Sequence, residues 1–199
     1  DERDAEAPLF AFVNLIGAHS PYDSSGAFRT RFLTDVDRGP TANHWREVFL
    51  GTAVFEEREL QRLRDLYDGE IAHVDSLVRG MVEELRRAGL IEDTILVVTS
   101  DHGENLGEHG LVDHVFSLYR TTTQVPLIVR APGLLEPGTR VAAPVQLTDV
   151  FATLARRAGV ENRVTQRTEL GLVDAPGERL VFCEYGFPRQ AFEAFDPRL

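Results

Sequence analysis

The sequence contains no lysine: all 21 of its basic residues are Arg. They are outnumbered by 32 acidic residues, for a formal net charge of -11. Such a surface repels nucleic-acid phosphates and anionic membranes, so neither is expected as a partner. An anionic substrate would need a local positive site, built from a metal ion or from clustered Arg and His. The missing Lys has two readings: a GC-rich genome, or an acidic, salt-adapted surface. A stability curve against KCl separates them, because a salt-adapted chain unfolds at low salt. There is one cysteine, Cys183, so no internal disulfide can form. It lies in the apolar run Leu180-Val181-Phe182-Cys183, which reads as a buried strand carrying an inert thiol. No apolar run approaches the roughly 20 residues needed to span a bilayer. Residues 1–6 are mostly charged and no initiating Met is present. The start therefore shows no signal peptide and is expected to lie inside a longer protein.

What is present suits one α/β domain with a sizeable core: 199 residues, 43% of them hydrophobic. Residues 8–16 (PLFAFVNLI) are almost continuously apolar and read as a strand buried on both faces. A turn-prone segment follows, Gly17-Ala18-His19-Ser20-Pro21-Tyr22. Residues 23–52 read as a long loop with one short helix, of the kind that often carries function. From Glu56 to Ala88 the pattern turns helical: Leu60, Leu63, Tyr67, Ile71, Val74, Val78, Met81 and Leu85 recur at spacings of three and four. Gly89 is placed to end that helix. Residues 94–100 (TILVVTS) form a β-branched strand that stops abruptly at Asp101-His102-Gly103-Glu104. A short helix over 117–123, a strand over 125–130, an amphipathic helix over 146–158 and a last strand over 180–184 complete the expected elements.

Residues 100–114 (SDHGENLGEHGLVDH) hold three of the six His residues. Asp101 and His102 sit where a strand leaves its pleat, so their side chains can converge on one ion. A carboxylate oxygen with an imidazole nitrogen suits a divalent cation such as Zn, Mn, Mg or Ca. Two ligands do not complete a site, and residue chemistry alone leaves a metal pair and a plain polar loop both open. His19 ends the other confident strand. If both strands lie parallel in one sheet, His19 and Asp101 emerge on the same edge. A lone His after a strand is more often a packing residue. His114 follows Asp101 by thirteen residues, close enough for its loop to fold back. His109 is near by sequence and can simply shape the loop. His73, on the long helix, and His44, beside Trp45, read as structural.

The ordered set of motifs resembles the sulfatase family of the alkaline phosphatase superfamily. It is carried by Phe12-Val13-Asn14-Leu15 leading to His19-Ser20-Pro21-Tyr22, by Tyr67-Asp68-Gly69-Glu70-Ile71 with Asp75, and by Thr99-Ser100-Asp101-His102-Gly103-Glu104. Gly107-Glu108-His109-Gly110-Leu111, Ser117-Leu118-Tyr119, Val125-Pro126-Leu127-Ile128 with Ala131-Pro132-Gly133, and Gln146 to Leu154 around Asp149 extend it. The match runs over about residues 8–160. It implies an alkaline-phosphatase-like α/β fold, a mixed, largely parallel sheet flanked by helices. Residues 1–160 would be the C-terminal part of the catalytic domain, a partial domain, and 161–199 an extension with one strand.

The resemblance implies roles. Asp101 and His102 map to ligands of one divalent metal, Ca first, with Mn, Mg or Zn as alternatives. His19 maps to a His that contacts the sulfate or assists the leaving group. His114 occupies a sulfate-contacting position that is commonly Lys. His titrates near neutral pH, so anion binding there should fade as pH rises. The family's nucleophile, a Cys or Ser in C/S-x-P-x-R that becomes formylglycine in sulfatases, has no counterpart here. Cys183 is followed by Glu184-Tyr185-Gly186. The nucleophile and the remaining metal carboxylates are expected to precede Asp1. The implied activity is hydrolysis of a small-molecule or carbohydrate sulfate ester. Alternatives are a phosphate or phosphonate ester hydrolase or phosphotransferase on the same scaffold, and a non-catalytic binding module that keeps the fold.

Overall fold

A computed structural model describes residues 7–23, 26–34, 47–48, 50–160 and 180–186. The chain divides into two compact units, Asp1–Glu84 and Leu85–Leu199.

In the first unit a single helical turn, α1 (Ala27–Thr30), precedes most of a long helix, α2 (Glu57–Arg87). The three-and-four apolar spacing produces α2. Glu57 and Glu59 sit in its first turn and Arg86 and Arg87 in its last, each complementing the helix dipole. The helix stops where expected. Gly89 adopts φ 71, its N–H bonds Arg86 O at 3.0 Å, and Leu90 N bonds Leu85 O at 2.9 Å. This is the paired-bond termination that a left-handed glycine permits. Leu63 and Leu66 are buried in α2, together with the carboxylates of Asp65 and Glu70. Ile71, on the expected apolar stripe, is instead exposed.

Asp65 ties α2 to the preceding segment. Its Oδ2 accepts from Thr34 N at 3.0 Å and Thr34 Oγ1 at 2.9 Å, and its Oδ1 accepts from Gln61 Nε2 at 2.8 Å. Tyr22 packs edge-on against Tyr67. Residues 8–16 do not form the expected strand. They are described, but they belong to no ladder, and Phe12 is 82% exposed. A strand needs backbone partners, and none among the described residues supplies them. Part of the expected loop, including residues 35–46 with His44 and Trp45, lies outside the described residues.

The second unit holds β1 (Leu96–Thr99), β2 (Asn105–Leu106), β3 (Val112–Asp113), the one-turn helix α3 (Arg120–Thr123), β4 (Leu127–Arg130) and α4 (Leu147–Arg157). β1 pairs β4 antiparallel, with Val97 opposite Val129 and Val98 opposite Ile128. β2 pairs β3 antiparallel. The expected largely parallel sheet is therefore replaced, among the described residues, by two small antiparallel pairs. The reason lies in the connection. Between β1 and β4 the chain returns through a hairpin and one helical turn, with no long crossover helix to bring it back parallel.

The Val97–Val129 side of the pair faces α4 across an apolar pocket lined by Ile95, Val97, Val129, Val150 and Leu154. α4 begins with Gln146 N donating to Asp149 Oδ2 at 2.7 Å, which satisfies an orphan donor at the helix start. Arg130 ties the turn before β1 to β4, bonding the carbonyl of Ile91 and the carboxylate of Glu92.

The expected last strand is also absent: residues 180–186 are described and irregular, and Cys183 is exposed rather than buried. This segment makes side-chain-to-backbone bonds instead of ladder bonds. Phe116 N donates to Tyr185 Oη, and Gln146 Nε2 donates to Phe182 O, both at 3.1 Å. The rest of the expected extension, residues 161–179 and 187–199, lies outside the described residues.

Candidate functional site

β1 delivers the chain to the site and is pinned at its end by Thr99 Oγ1, which donates to Pro126 O at 2.8 Å. Asp101 and His102 follow. The Asp101 side chain is 87% exposed, and its Oδ1 accepts from His102 N at 3.0 Å. The same oxygen lies 3.7 Å from His102 Nε2. His102 Nδ1 is 2.9 Å from Gly103 O. A carbonyl can only accept, so Nδ1 carries the proton, and in the neutral ring Nε2 presents the lone pair. Two ligand atoms of one ion sit roughly 3–4 Å apart when each bond is about 2.0–2.6 Å. The carboxylate and imidazole therefore fit a shared divalent cation in chemistry, tautomer and spacing.

Gly103 explains how this turn is held. Its N–H bonds Thr122 O at 2.8 Å, and a Cβ placed there would lie 2.0 Å from Thr121 O. Only glycine allows that approach to α3. Beyond it β2 and β3 form a hairpin, with Asn105 opposite Asp113. Asn105 is wholly buried. Its Nδ2 donates to Asp113 O at 2.7 Å and its Oδ1 accepts from Thr121 Oγ1 at 2.6 Å. The hairpin and the following loop contain three non-glycine residues in the left-handed region: His109 (φ 56), Asp113 (φ 68) and Phe116 (φ 62). Such conformations cost of order 1–3 kcal/mol each and persist where surrounding contacts enforce them, often at functional sites.

The hairpin folds His114 back onto His102. Their rings stack with centroids 4.0 Å apart and planes at 24°. His114 Nδ1 lies 3.1 Å from Glu104 Oε1 and 2.7 Å from Asp113 Oδ1. Glu104, Asp113 and His114 are also the described trio whose ligand atoms lie close enough together to hold a metal ion. His109 stacks on Tyr119 at 3.7 Å, a contact that shapes the loop.

The structure thus brings Asp101, His102 and His114 together in the second unit. His19 belongs to the first unit, where its Nδ1 donates to Ser20 O at 2.6 Å. The shared sheet edge expected to carry His19 and Asp101 does not form among the described residues, because residues 8–16 are not a strand. His73 stacks on Phe28 at 5.1 Å, a packing contact.

Sequence reasoning passed over Glu104, Asn105 and Asp113. Two-residue strands leave no alternation to read, and only the observed turn at Glu108–Gly110 places 104 opposite 114 and 105 opposite 113.

Comparison with solved structures places the fold of this chain among alkaline-phosphatase-like hydrolases. The phosphonate monoester hydrolase of Agrobacterium radiobacter is similar with a TM-score of 0.65 and 26% identity, covering 80% of this chain and 36% of that one. BT4656, solved in complex with its substrate D-glucosamine-2-N,6-O-disulfate, is similar with a TM-score of 0.59 and 25% identity, covering 70% and 31%. Residues 1–160 match the sulfatase family, and the chain belongs to that family. Arylsulfatase K of Bos taurus is 33% identical over 109 residues, which are 55% of this chain. The chain spans about a fifth of the length of the arylsulfatase K relatives it matches. No described helix is long and apolar enough to cross a membrane.

Proposed function

We propose that the whole protein hydrolyses sulfuric esters, with Asp101 and His102 as two ligands of one divalent cation. The observation that carries the reading is the convergence of Asp101 Oδ1 and His102 Nε2, 3.7 Å apart, with the His102 proton held on Nδ1 by Gly103 O. Calcium is the first assignment, with Mn, Mg or Zn as alternatives. A cation held there would supply positive charge to the anionic group of the ester. His114 binds that group beside His102, within reach through the 4.0 Å ring stack. His19 is assigned as general acid. Its Nδ1 proton is committed to Ser20 O, so only Nε2 can hand a proton to the leaving oxygen as the ester bond breaks.

The substrate class is a small-molecule or carbohydrate sulfate ester. Support comes from membership in the sulfatase family and from likeness to BT4656, whose own substrate is a sulfated glucosamine. A second reading, phosphonate monoester hydrolysis on the same residues, is favoured by the likeness to the Agrobacterium enzyme. Relative turnover of an aryl sulfate and an aryl phosphonate monoester by the whole protein tests these two readings, and the coding sequence upstream of Asp1 tests sulfate esters against phosphoryl transfer. An in-frame Cys-x-Pro-x-Arg supports sulfate esters. A Thr in the nucleophile position contradicts them and favours phosphoryl transfer.

A further inference from the structure

We infer that Glu104 is a positioning residue for His114, holding its imidazole in one tautomer and one orientation against His102. The inference rests on the reading of His114 as the residue that contacts the transferring group.

The hairpin register generates the pair. Asn105 stands opposite Asp113 and Leu106 opposite Val112, so the next rung places Glu104 opposite His114 on one face. The Glu104 side chain is 3% exposed, while His114 is 23% exposed. A buried carboxylate therefore meets a ring that remains partly accessible. Glu104 Oε1 lies 3.1 Å from His114 Nδ1 with hydrogen-bonding geometry. An ionised carboxylate can only accept, so Nδ1 donates, and contact with a substrate anion is assigned to Nε2. In the imidazolium form both nitrogens donate, one to each side.

Asp113 is the rival partner, since its Oδ1 is nearer, at 2.7 Å. That oxygen accepts from His114 N at 2.6 Å, and its approach to the ring is one of distance only, without the hydrogen-bond geometry of the Glu104 contact. Its side chain is also more exposed, at 20%. Asp113 thus shapes the turn, and the buried cross-strand Glu104 sets the ring. Asn105 supports both through its bond to Asp113 O. A carboxylate that orients a functional imidazole through its second nitrogen is a common means of fixing tautomer and direction.

The test is ring-nitrogen NMR of the whole protein, at a pH where the imidazoles are neutral. The wild type should show two well-separated His114 nitrogen resonances, with the proton on Nδ1. Glu104→Ala should move them toward each other as the tautomers mix. Glu104→Gln, whose amide oxygen still accepts, should restore the separation. The signals of His19, His73 and His109 report whether each variant is folded, and if Glu104→Ala unfolds, Glu104→Gln decides alone. Unchanged His114 resonances in folded Glu104→Ala overturn the inference, as does loss of the separation in folded Glu104→Gln. Added Ca2+ that displaces the Nδ1 proton of His114 also overturns it, by making the Glu104–Asp113–His114 trio a cation site. Inorganic sulfate, added at a lower pH where the imidazolium form carries a proton on Nε2 as well, probes the underlying reading separately. If it leaves Nε2 unmoved, His114 is not the anion contact, while the Glu104 result stands.

Discussion

At the scale of the residue, buried carboxylates decide most. Asp65 shows the balance. Burial pushes its carboxyl up, but bonds from Thr34 and Gln61 and the nearby Arg62 charge outweigh that, and the net direction is down. A carboxyl lowered on folding adds stability above its unfolded value, about 3.9, and loses it as pH falls through the folded value. Asp65→Ala should therefore cost about 1.5–3 kcal/mol at neutral pH, the range for bonds to a charged group. The cost should shrink in acid, and urea melts at pH 7 and near pH 3 read both. A deficit that is equal at the two values contradicts the assignment.

The residue scale is also where the sequence was least legible. Asp101 and His102 stand out in the sequence by type and place and His114 through the family resemblance, and the structure puts Asp101 beside His102 and His102 against His114. Glu104 and Asn105 were passed over because their importance comes from a hairpin register that alternation over two-residue strands cannot reveal.

At the scale of the element, helices read better than strands. α2 and α4 carry their own evidence, in apolar spacing, end charges, a capping carboxylate and a terminal glycine. Residues 8–16 carry strand chemistry too, yet no strand forms, because a strand is defined by its neighbours and periodicity says nothing about who they are. The same limit hid the antiparallel pairing of β1 with β4, whose connection is a hairpin and one helical turn and not a crossover helix. One element contact carries a sharp expectation. The turn holding Asp101 and His102 lies on α3 through Gly103, with room for no Cβ. Since the obstruction is backbone and not a movable side chain, Gly103→Ala should destabilise by at least about 3 kcal/mol. Thermal unfolding followed by circular dichroism checks it. A melting temperature within a degree of wild type would show that α3 does not clamp this turn.

At the scale of the whole molecule, family membership was the most legible feature, since ordered motifs across residues 8–160 survive even where local structure was misjudged. With a net charge of -11, a site for an anionic ester needs local positive charge, which the proposed cation and imidazoles would supply. The 199 residues contain no C/S-x-P-x-R segment, and exposed Cys183 lacks the flanking Pro and Arg. This chain by itself should therefore give no measurable turnover of an aryl sulfate above a buffer control. Robust hydrolysis would mean the nucleophile lies within it. The central claim is that Asp101 and His102 bind a divalent cation, and metal content tests it most directly. Elemental analysis of the whole protein should find about one equivalent of divalent metal per chain and a sharp loss in Asp101→Ala, in line with the importance of each direct ligand. Unchanged stoichiometry in folded Asp101→Ala would contradict it.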